Sequence, residues 1–238
     1  MPEQSRLLLE SGRKLRLDNF LSTANPGVIG ALRDWLASEQ ADICLILGPA
    51  GCGKSHLLQG CAAAWAEQDR PWRYVPAAVQ PIPQASECAG GLLVLDGLEA
   101  LPQEQALPLM RAIDDARQGR WRILLSSRLP VSQLSLPVED LRSRLQWGVS
   151  LSVRPLDDAG LSELLQQQAQ ELGVHWAQRN TDYVLRRLPR SPGVLLAVQA
   201  KAVDEAIRQQ RQLGLPLLGD LLASSQLATA IQQTASEP

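Results

Sequence analysis

One loop constrains the fold of this chain more than any other feature. Residues 48–55 read GPAGCGKS, which fits the pattern G-x-x-x-x-G-K-[ST] at every fixed position. A short apolar run, ICLIL (43–47), precedes the loop, and a helical pattern to about residue 68 follows it. In this setting the glycines let backbone N–H groups turn inward around phosphates, and the opening helix adds its dipole. The sequence therefore predicts a phosphate-binding loop after a buried parallel strand.

The side chains of this loop have different predicted roles. Lys54 supplies a positive charge to the β and γ phosphates, and the Ser55 hydroxyl reaches a Mg²⁺ ion. Only three of the 23 basic residues are lysines, so a lysine at this position indicates a chemical requirement. His56 has two interpretations, a contact on the α-phosphate side or a cap of the helix start. With ADP or ATP and Mg²⁺ as ligands, the predicted nucleotide contacts in this segment are Gly48, Pro49, Ala50, Gly51, Cys52, Gly53, Lys54, Ser55 and His56. The alternative is a relic loop that holds no nucleotide.

Strand and helix patterns alternate along the first two thirds of the chain. Strand patterns, of which ICLIL is a continuous apolar run, predict strands at 43–47, 72–76, 92–96, 121–127 and 149–153. Helical patterns between them predict a parallel five-stranded sheet covered on both faces. After residue 155 the strand patterns stop, and helical segments follow at about 157–172, 179–188, 192–212 and 216–223. The predicted fold class is α/β, a P-loop domain followed by a small all-helical domain.

These patterns divide the chain into four segments. We expect an N-terminal arm (1–24), the α/β domain (25–155), the helical domain (156–223) and a flexible tail (224–238). Asn25 followed by Pro26 predicts the start of the first helix, as a capping side chain before proline at the first helical position.

Composition and charge exclude several classes of protein. The net charge of −2 lacks the basic surplus typical of a DNA-binding domain. No apolar run approaches the ~18 residues of a membrane span, and the first 20 residues lack a signal-peptide core. The four cysteines show no C-x-x-C spacing, so we expect buried or incidental thiols in a reducing compartment rather than a zinc site or a disulfide framework. These features favour a cytoplasmic protein without membrane contact.

A second acidic motif bears on hydrolysis. In GLLVLDGLEA (91–100), Asp96 ends an apolar run and is placed to hold the water shell of Mg²⁺. Many ATPases of this layout carry a second acid at the next position, but here it is Gly97. Glu99 points elsewhere if the strand geometry continues, and serves only if the chain bends at Gly97. The sequence predicts nucleotide binding with slow intrinsic hydrolysis; the alternative makes Asp96 a plain strand-end acid.

Four segments together resemble a known family. GPAGCGKSHLL, LLVLDGLEA, ILLSSRLP and LRSRLQWG are similar to the AAA+ domain of the bacterial replication initiator DnaA, and most closely to the Hda-like, DnaA-related regulatory proteins. The resemblance runs from LDNF (17–20) through the helical domain, and GKSHLL and SRLQWG are its most specific parts. It implies an AAA+ domain with a helical lid. The residues after 223 are too few for the DNA-binding domain of the initiator, so no sequence-specific DNA binding is expected.

The resemblance also implies an arginine finger. Arg144, in the Ser-Arg pair of LRSRLQWG, matches the residue that contacts the γ-phosphate in a neighbouring subunit. Such a finger contributes roughly 10³ to 10⁵ in rate. Arg142 does not match that position, although it lies near enough to assist. The alternative for Arg144 is an ion pair with Glu139 or Asp140 at the helix end.

Further positions follow from the family pattern. Asn19 and Phe20 match the segment that lines the adenine pocket. In the N-terminal arm, Gln4, Leu7 and Leu9 match part of a motif that docks on the sliding clamp (the β subunit) as an extended peptide. The implied partners are DnaA and the sliding clamp, and the sequence leaves monomer and homodimer open.

Three positions depart from the family pattern. Gly97 replaces an acid, Arg128 follows ILLSS where DnaA commonly has an acid, and Gly193 stands near the place of a nucleotide-sensing arginine. Arg190 is the nearest substitute for that arginine. These departures favour a resident nucleotide over a turnover cycle. In this interpretation the nucleotide shapes the protein and positions Arg144, and the ATP whose hydrolysis is stimulated is bound to DnaA. The alternatives are a self-contained AAA+ ATPase that loads a helicase, and a non-catalytic adaptor that recruits a partner.

Overall fold

The structure, a computed structural model, describes residues 15–38, 42–136 and 138–223. It divides into two compact units, one from Leu15 to Pro155 and one that begins at Leu156. Among the described residues, no helix is both long and apolar enough to cross a membrane.

A parallel sheet forms the centre of the first unit. Its strands are β1 (Ile43–Leu47), β2 (Trp72–Pro76), β3 (Leu92–Asp96), β4 (Arg122–Ser127) and β5 (Val149–Ser152). Among the described residues the strand order is β2–β3–β4–β1–β5, and all neighbouring strands are parallel. All five strands lie where the sequence predicted them, within one residue at each end.

Alternate residues of the central strands feed two separate cores. Ile43, Leu45 and Leu93 pack on one face of the sheet, and Cys44, Ile46 and Val94 pack on the other. This alternation is the period-two geometry of a strand that is buried on both faces. The covering helices are α1 (Val28–Ala37), α2 (Lys54–Ala66), α3 (Ala106–Arg117) and α4 (Glu139–Leu145).

The first helix begins later than predicted, because Asn25 has another role. Helix α1 begins at Val28, with Gly27 at its N-cap and no side-chain cap bond. The buried Asn25 amide instead bonds the backbone of Arg154: its Nδ2 donates to Arg154 O at 2.9 Å, and its Oδ1 accepts from Arg154 N at 2.7 Å. The prediction that Asn25 caps the helix was therefore wrong. Asn25 joins the start of the unit to the segment after β5.

Residues 15–24, which the sequence placed in the arm, belong to the first compact unit. Leu17 is buried in the core shared by α1 and α2, and it lies in a short 3-10 helix, Leu17–Asn19. Helix α2 approaches this turn closely at Gly60, where an added Cβ would lie 2.9 Å from Leu17 N. The small residue at this position lets the turn pack directly on the helix that follows the phosphate loop.

The second unit is helical throughout its described part. It contains α5 (Asp158–Glu171), α6 (Gln178–Arg187), α7 (Pro192–Gln209) and α8 (Leu215–Ala223). Asp157 caps α5 by accepting from Gly160 N at 2.8 Å, and proline occupies the first turn of α7. One apolar core, which includes Leu161, Trp176 and Leu195, joins the helices.

Candidate nucleotide site

The phosphate loop joins β1 to α2 through a backbone that requires glycine. Gly51 and Gly53 have φ angles of 73° and 99°, in the left-handed region that disfavours other residues. An added Cβ at Gly48 would lie 2.6 Å from Cys52 Sγ, so this position excludes a side chain for steric reasons. Gly53 is the N-cap of α2, and no side chain caps that helix. The first turn of α2 therefore presents backbone N–H groups and the positive end of its dipole to the loop.

Lys54 reaches back across the loop. Its Nζ donates to Gly48 O at 2.8 Å and to Pro49 O at 2.9 Å. The chain's own carbonyls thus hold the ammonium group beside the N-terminus of α2. A positive charge and a helix N-terminus that meet at one point are suited to an anion such as a phosphate.

Asp96, at the end of β3, is the centre of a hydroxyl network. Ser55 Oγ donates to Asp96 Oδ2 at 2.7 Å, and Tyr74 OH donates to the same oxygen at 2.5 Å. Ser126 Oγ donates to Asp96 Oδ1 and accepts from Gly97 N at 2.9 Å. The structure therefore brings together Ser55 and Asp96, the two predicted metal-site residues. A carboxylate beside a hydroxyl is the hard oxygen donor set that Mg²⁺ prefers, so the residues present fit this ion.

The sequence reasoning missed Tyr74 and Ser126. Strand register explains the Tyr74 contact: Tyr74 pairs with Val94, which lies two residues before Asp96 and on the same face of the sheet. A tyrosine side chain is long enough to span that diagonal. Burial, together with the charge of Asp96, raises the pKa of Tyr74 above its usual range, so the phenol remains a hydrogen-bond donor. The sequence signal for Tyr74 was a hydroxyl group at an alternate position of β2. That signal points to Asp96 only when β2 is known to lie beside β3.

The chain bends immediately after Asp96. Gly97 has φ 82°, and a 3-10 turn, Leu98–Ala100, follows it. The bend meets the condition under which the sequence makes Glu99 a candidate for a hydrolytic acid. Its carboxylate, however, pairs with Arg128: Oε1 lies 3.1 Å from Arg128 Nε, and Oε2 accepts from Arg128 N at 3.1 Å.

Asn19, Phe20 and His56 lie together beside the loop. His56 Nε2 is 2.9 Å from both Arg16 O and Asn19 Oδ1, and since both are acceptors, Nε2 carries the proton. The Phe20 ring meets the His56 ring edge-on at 5.4 Å, and an added Cβ at Gly53 would lie 2.8 Å from Phe20 Cε2. His56 fastens the segment before α1 to α2 through these contacts. The residues predicted to line the base pocket are thus adjacent to the phosphate loop.

Arg144 lies on α4 and is held by two carboxylates. Its Nε donates to Asp114 Oδ1 on α3 at 3.0 Å, and its Nη1 pairs with Asp140. The hydrogen bond with Asp114, followed in effect by the one with Asp140, raises the pKa of Arg144 above its usual value. The Arg144 side chain is 17% exposed, and its guanidinium lies 5.7 Å from the ring centre of the exposed Trp147. The ion pair with Asp140 that the sequence offered as an alternative is present within the chain.

Arg142 holds a nearby turn rather than assisting Arg144. Its guanidinium donates to Val131 O at 2.8 Å, to Ser132 O at 2.7 Å and to Leu134 O at 3.0 Å. Three backbone acceptors make this arginine a structural anchor for the segment between β4 and α4.

The remaining predicted residues are Arg190 and three positions of the N-terminal arm. Arg190 is in the helical unit, where it forms a two-pronged pair with Asp158 at 2.6 and 3.0 Å. Gln4, Leu7 and Leu9 lie outside the described residues, so their role in clamp docking stays a prediction.

The four cysteines are free and buried, as the sequence suggested. Burial raises the pKa of Cys44 to about 12 and raises the pKa of Cys61 still further. The pKa of Cys52 in the phosphate loop is also raised by burial, although the charge of Lys54 opposes the shift. These thiols are therefore protonated core side chains at neutral pH.

Comparison with solved structures identifies the architecture. Domain III of the replication initiation protein DnaA from Thermotoga maritima matches with a TM-score of 0.73 at 17% identity, over 88% of this chain and 95% of that one. The chain has the AAA+ fold. This finding confirms the predicted fold class, a parallel five-stranded sheet followed by a helical domain.

Other structures share the fold at similar distance. AMPPCP-bound DnaA from Aquifex aeolicus matches with a TM-score of 0.65 at 18% identity, over 83% of this chain and 68% of that one. A RuvB variant from Thermotoga maritima matches with a TM-score of 0.66 at 20% identity, over 89% and 72%. No protein-family model matches the chain. Because an initiator and a RuvB protein share this fold, function must be argued from the site.

Proposed function

We propose that this chain is a nucleotide-binding AAA+ regulator that stimulates ATP hydrolysis by DnaA in trans, acting in the cytoplasm with the sliding clamp to down-regulate replication initiation. One observation supports the part of this proposal that concerns nucleotide binding without hydrolysis. Ser55 and Asp96 are assembled at 2.7 Å in the phosphate site, whereas Glu99, the nearby candidate for a hydrolytic acid, is paired with Arg128. The binding groups are together and the hydrolytic group has another partner.

The proposed site binds nucleotide with its own backbone and a few side chains. Lys54 exchanges its two loop carbonyls for phosphate oxygens, and the first turn of α2 donates N–H groups to them. Bound nucleotide and Mg²⁺ would supply the negative phosphates and the divalent charge that these groups hold. Ser55 and Asp96 hold the ion, and Asn19 and Phe20 flank the base. In this proposal the nucleotide is a resident ligand of the regulator.

The regulatory step is assigned to Arg144. Its assignment rests on the similarity of LRSRLQWG to the family motif, and the fold likeness to DnaA domain III supports a DnaA-type contact. To reach the γ-phosphate of a partner, the guanidinium exchanges Asp114 and Asp140 for phosphate oxygens. An arginine is suited to this exchange because its planar fork pairs with carboxylate and phosphate in the same geometry.

Nucleotide binding is tested with two lysine variants. We expect the wild type to bind a fluorescent ADP analogue, and Lys54→Ala to bind it roughly ten- to a hundredfold more weakly, the range for losing charge-assisted bonds. Lys201→Ala, which removes a lysine of α7 in the helical unit, is the matched control and should bind like the wild type. Equal affinity of all three proteins would show that the loop does not hold nucleotide.

The regulatory role is tested on DnaA preloaded with labelled ATP in the presence of clamp-loaded DNA. The wild type should accelerate hydrolysis, and Arg144→Ala should lose most of that stimulation while retaining nucleotide affinity and thermal stability. Arg120→Ala, which removes an exposed arginine paired with Asp115, is the control. Steady ATP turnover by this protein alone would favour a self-contained ATPase such as a helicase loader. Equal stimulation by wild type and Arg144→Ala would favour an adaptor without a finger.

A further inference from the structure

We propose that Tyr74 is a positioning residue. By donating a hydrogen bond to Asp96, it weakens the dependence of nucleotide binding on Mg²⁺. This inference rests on the proposed nucleotide site and adds a determinant that the phosphate-loop motif does not contain. Tyr74 is half-buried on β2, and its ring packs against the core shared by α1 and α2.

The argument begins with the acceptor capacity of Asp96. An ionised carboxylate has two oxygens and about four lone-pair positions. Three hydroxyl groups donate to it here: Ser55 and Tyr74 to Oδ2, and Ser126 to Oδ1. One position is left, so the Tyr74 hydroxyl competes for Asp96 Oδ2 with a metal ion or with the water molecules around one.

The three donors are not equivalent with respect to a metal. The Ser55 hydroxyl donates its proton to Asp96 and keeps its oxygen lone pairs as ligands for Mg²⁺, so this hydrogen bond would be compatible with metal binding. Ser126 is tied on its other side to Gly97 N and lies on the opposite carboxylate oxygen. Tyr74 donates to the same carboxylate oxygen as Ser55, but it is not among the groups that would hold the metal ion.

Two consequences follow from the Tyr74 hydrogen bond. It withdraws negative charge from Asp96 Oδ2 and therefore weakens the attraction of that oxygen for a divalent ion. It also damps repulsion between Asp96 and incoming phosphates when the ion is absent. Both effects reduce the difference in nucleotide affinity between solutions with and without Mg²⁺.

The experiment measures that difference directly. The Kd of a fluorescent ADP analogue is determined with excess Mg²⁺ and with EDTA, for wild type and for Tyr74→Phe, which removes only the hydroxyl. We expect the Kd in EDTA divided by the Kd in Mg²⁺ to rise about tenfold in Tyr74→Phe, because a hydrogen bond to a charged group is lost. The matched control is Tyr183→Phe, at the second of the two tyrosines, which lies in α6 of the helical unit.

A double-mutant cycle assigns the effect to Asp96. Tyr74→Phe introduced into Asp96→Asn should leave the ratio of that variant unchanged, because the charged acceptor is already gone. If Tyr74→Phe weakens binding equally with and without Mg²⁺, Tyr74 only supports packing and the inference is overturned, while the nucleotide site stands. If the wild type binds no nucleotide in either solution, the proposed function and this inference both fall.

Discussion

Arg128 holds both carboxylate oxygens of Glu99. The Arg128 guanidinium Nε lies 3.1 Å from one oxygen, and the Arg128 backbone N–H donates to the other at 3.1 Å. The Glu99 side chain is 18% exposed, so the pair is sheltered from solvent screening better than most surface ion pairs. The bend at Gly97 brings Glu99 to the end of β4, where Arg128 fixes its direction.

This pairing predicts that Glu99 does not serve hydrolysis. In a self-contained ATPase, removing the acid that polarises water costs about 10² to 10⁴ in rate. Here we expect Glu99→Gln to change steady ATP turnover by less than about twofold, because the carboxylate is already engaged. A loss of turnover on the scale of a catalytic acid would show that Glu99 leaves Arg128 when nucleotide binds.

The ion pairs of Arg144 predict a variant with increased activity. Asp114→Asn weakens one of the two contacts that Arg144 gives up on reaching a partner. We expect the stimulation of DnaA to rise roughly two- to fivefold, the range allowed by an ion pair worth up to about 1 kcal/mol. The control is Asp115→Asn, the adjacent residue of α3, which pairs with Arg120 instead.

The opposite result is equally informative for Asp114. If stimulation by Asp114→Asn falls to the level of Arg144→Ala, then Asp114 orients the guanidinium rather than restraining it. Nucleotide affinity of the variant, measured in parallel, shows whether the change is confined to Arg144.

The same substitution should have opposite effects at two glycines. Gly53→Ala forces alanine into a left-handed conformation, at a cost of roughly 1–2 kcal/mol, and directs its Cβ at the Phe20 ring. Gly30→Ala lies within α1, where an added Cβ meets nothing within 4 Å, and should stabilise by about 0.5–1 kcal/mol. Urea unfolding measures both changes, and nucleotide titration should show weaker binding for Gly53→Ala alone. Unchanged stability and affinity in Gly53→Ala would contradict the structure of the loop.

Asn25 provides a test of the fold itself. Asn25→Ala removes two hydrogen bonds and leaves the Arg154 backbone N–H and C=O without these partners. We expect the free energy of unfolding of the α/β unit to fall by about 2 kcal/mol. Urea unfolding followed by tryptophan fluorescence measures the loss, and Ser22→Ala at an exposed neighbour is the control. A loss no greater than that of the control would mean that the two bonds contribute nothing net.

Local sequence was sufficient to predict the strands, the phosphate loop and Asp96. Short apolar or alternating runs between helical patterns are typical of strands in a parallel sheet, and all five strands were predicted within one residue at each end. The phosphate loop could also be predicted, because its glycines, Lys54 and Ser55 lie within eight residues of the chain and their roles depend on backbone conformation. Asp96 was found for a related reason, as an acid at the end of an apolar run.

Side-chain partners distant in sequence were decided by the tertiary structure alone. Whether Tyr74 reaches Asp96 depends on strand order and register, and whether Glu99 faces the loop or Arg128 depends on where β4 ends. Asn25 was predicted as a helix cap because its neighbours favour that role, yet it bonds Arg154, 129 residues away. A pattern of residues determines which groups are available. The packing of the sheet determines which of them meet, since hydrogen bonds and ion pairs require contact within a few ångströms.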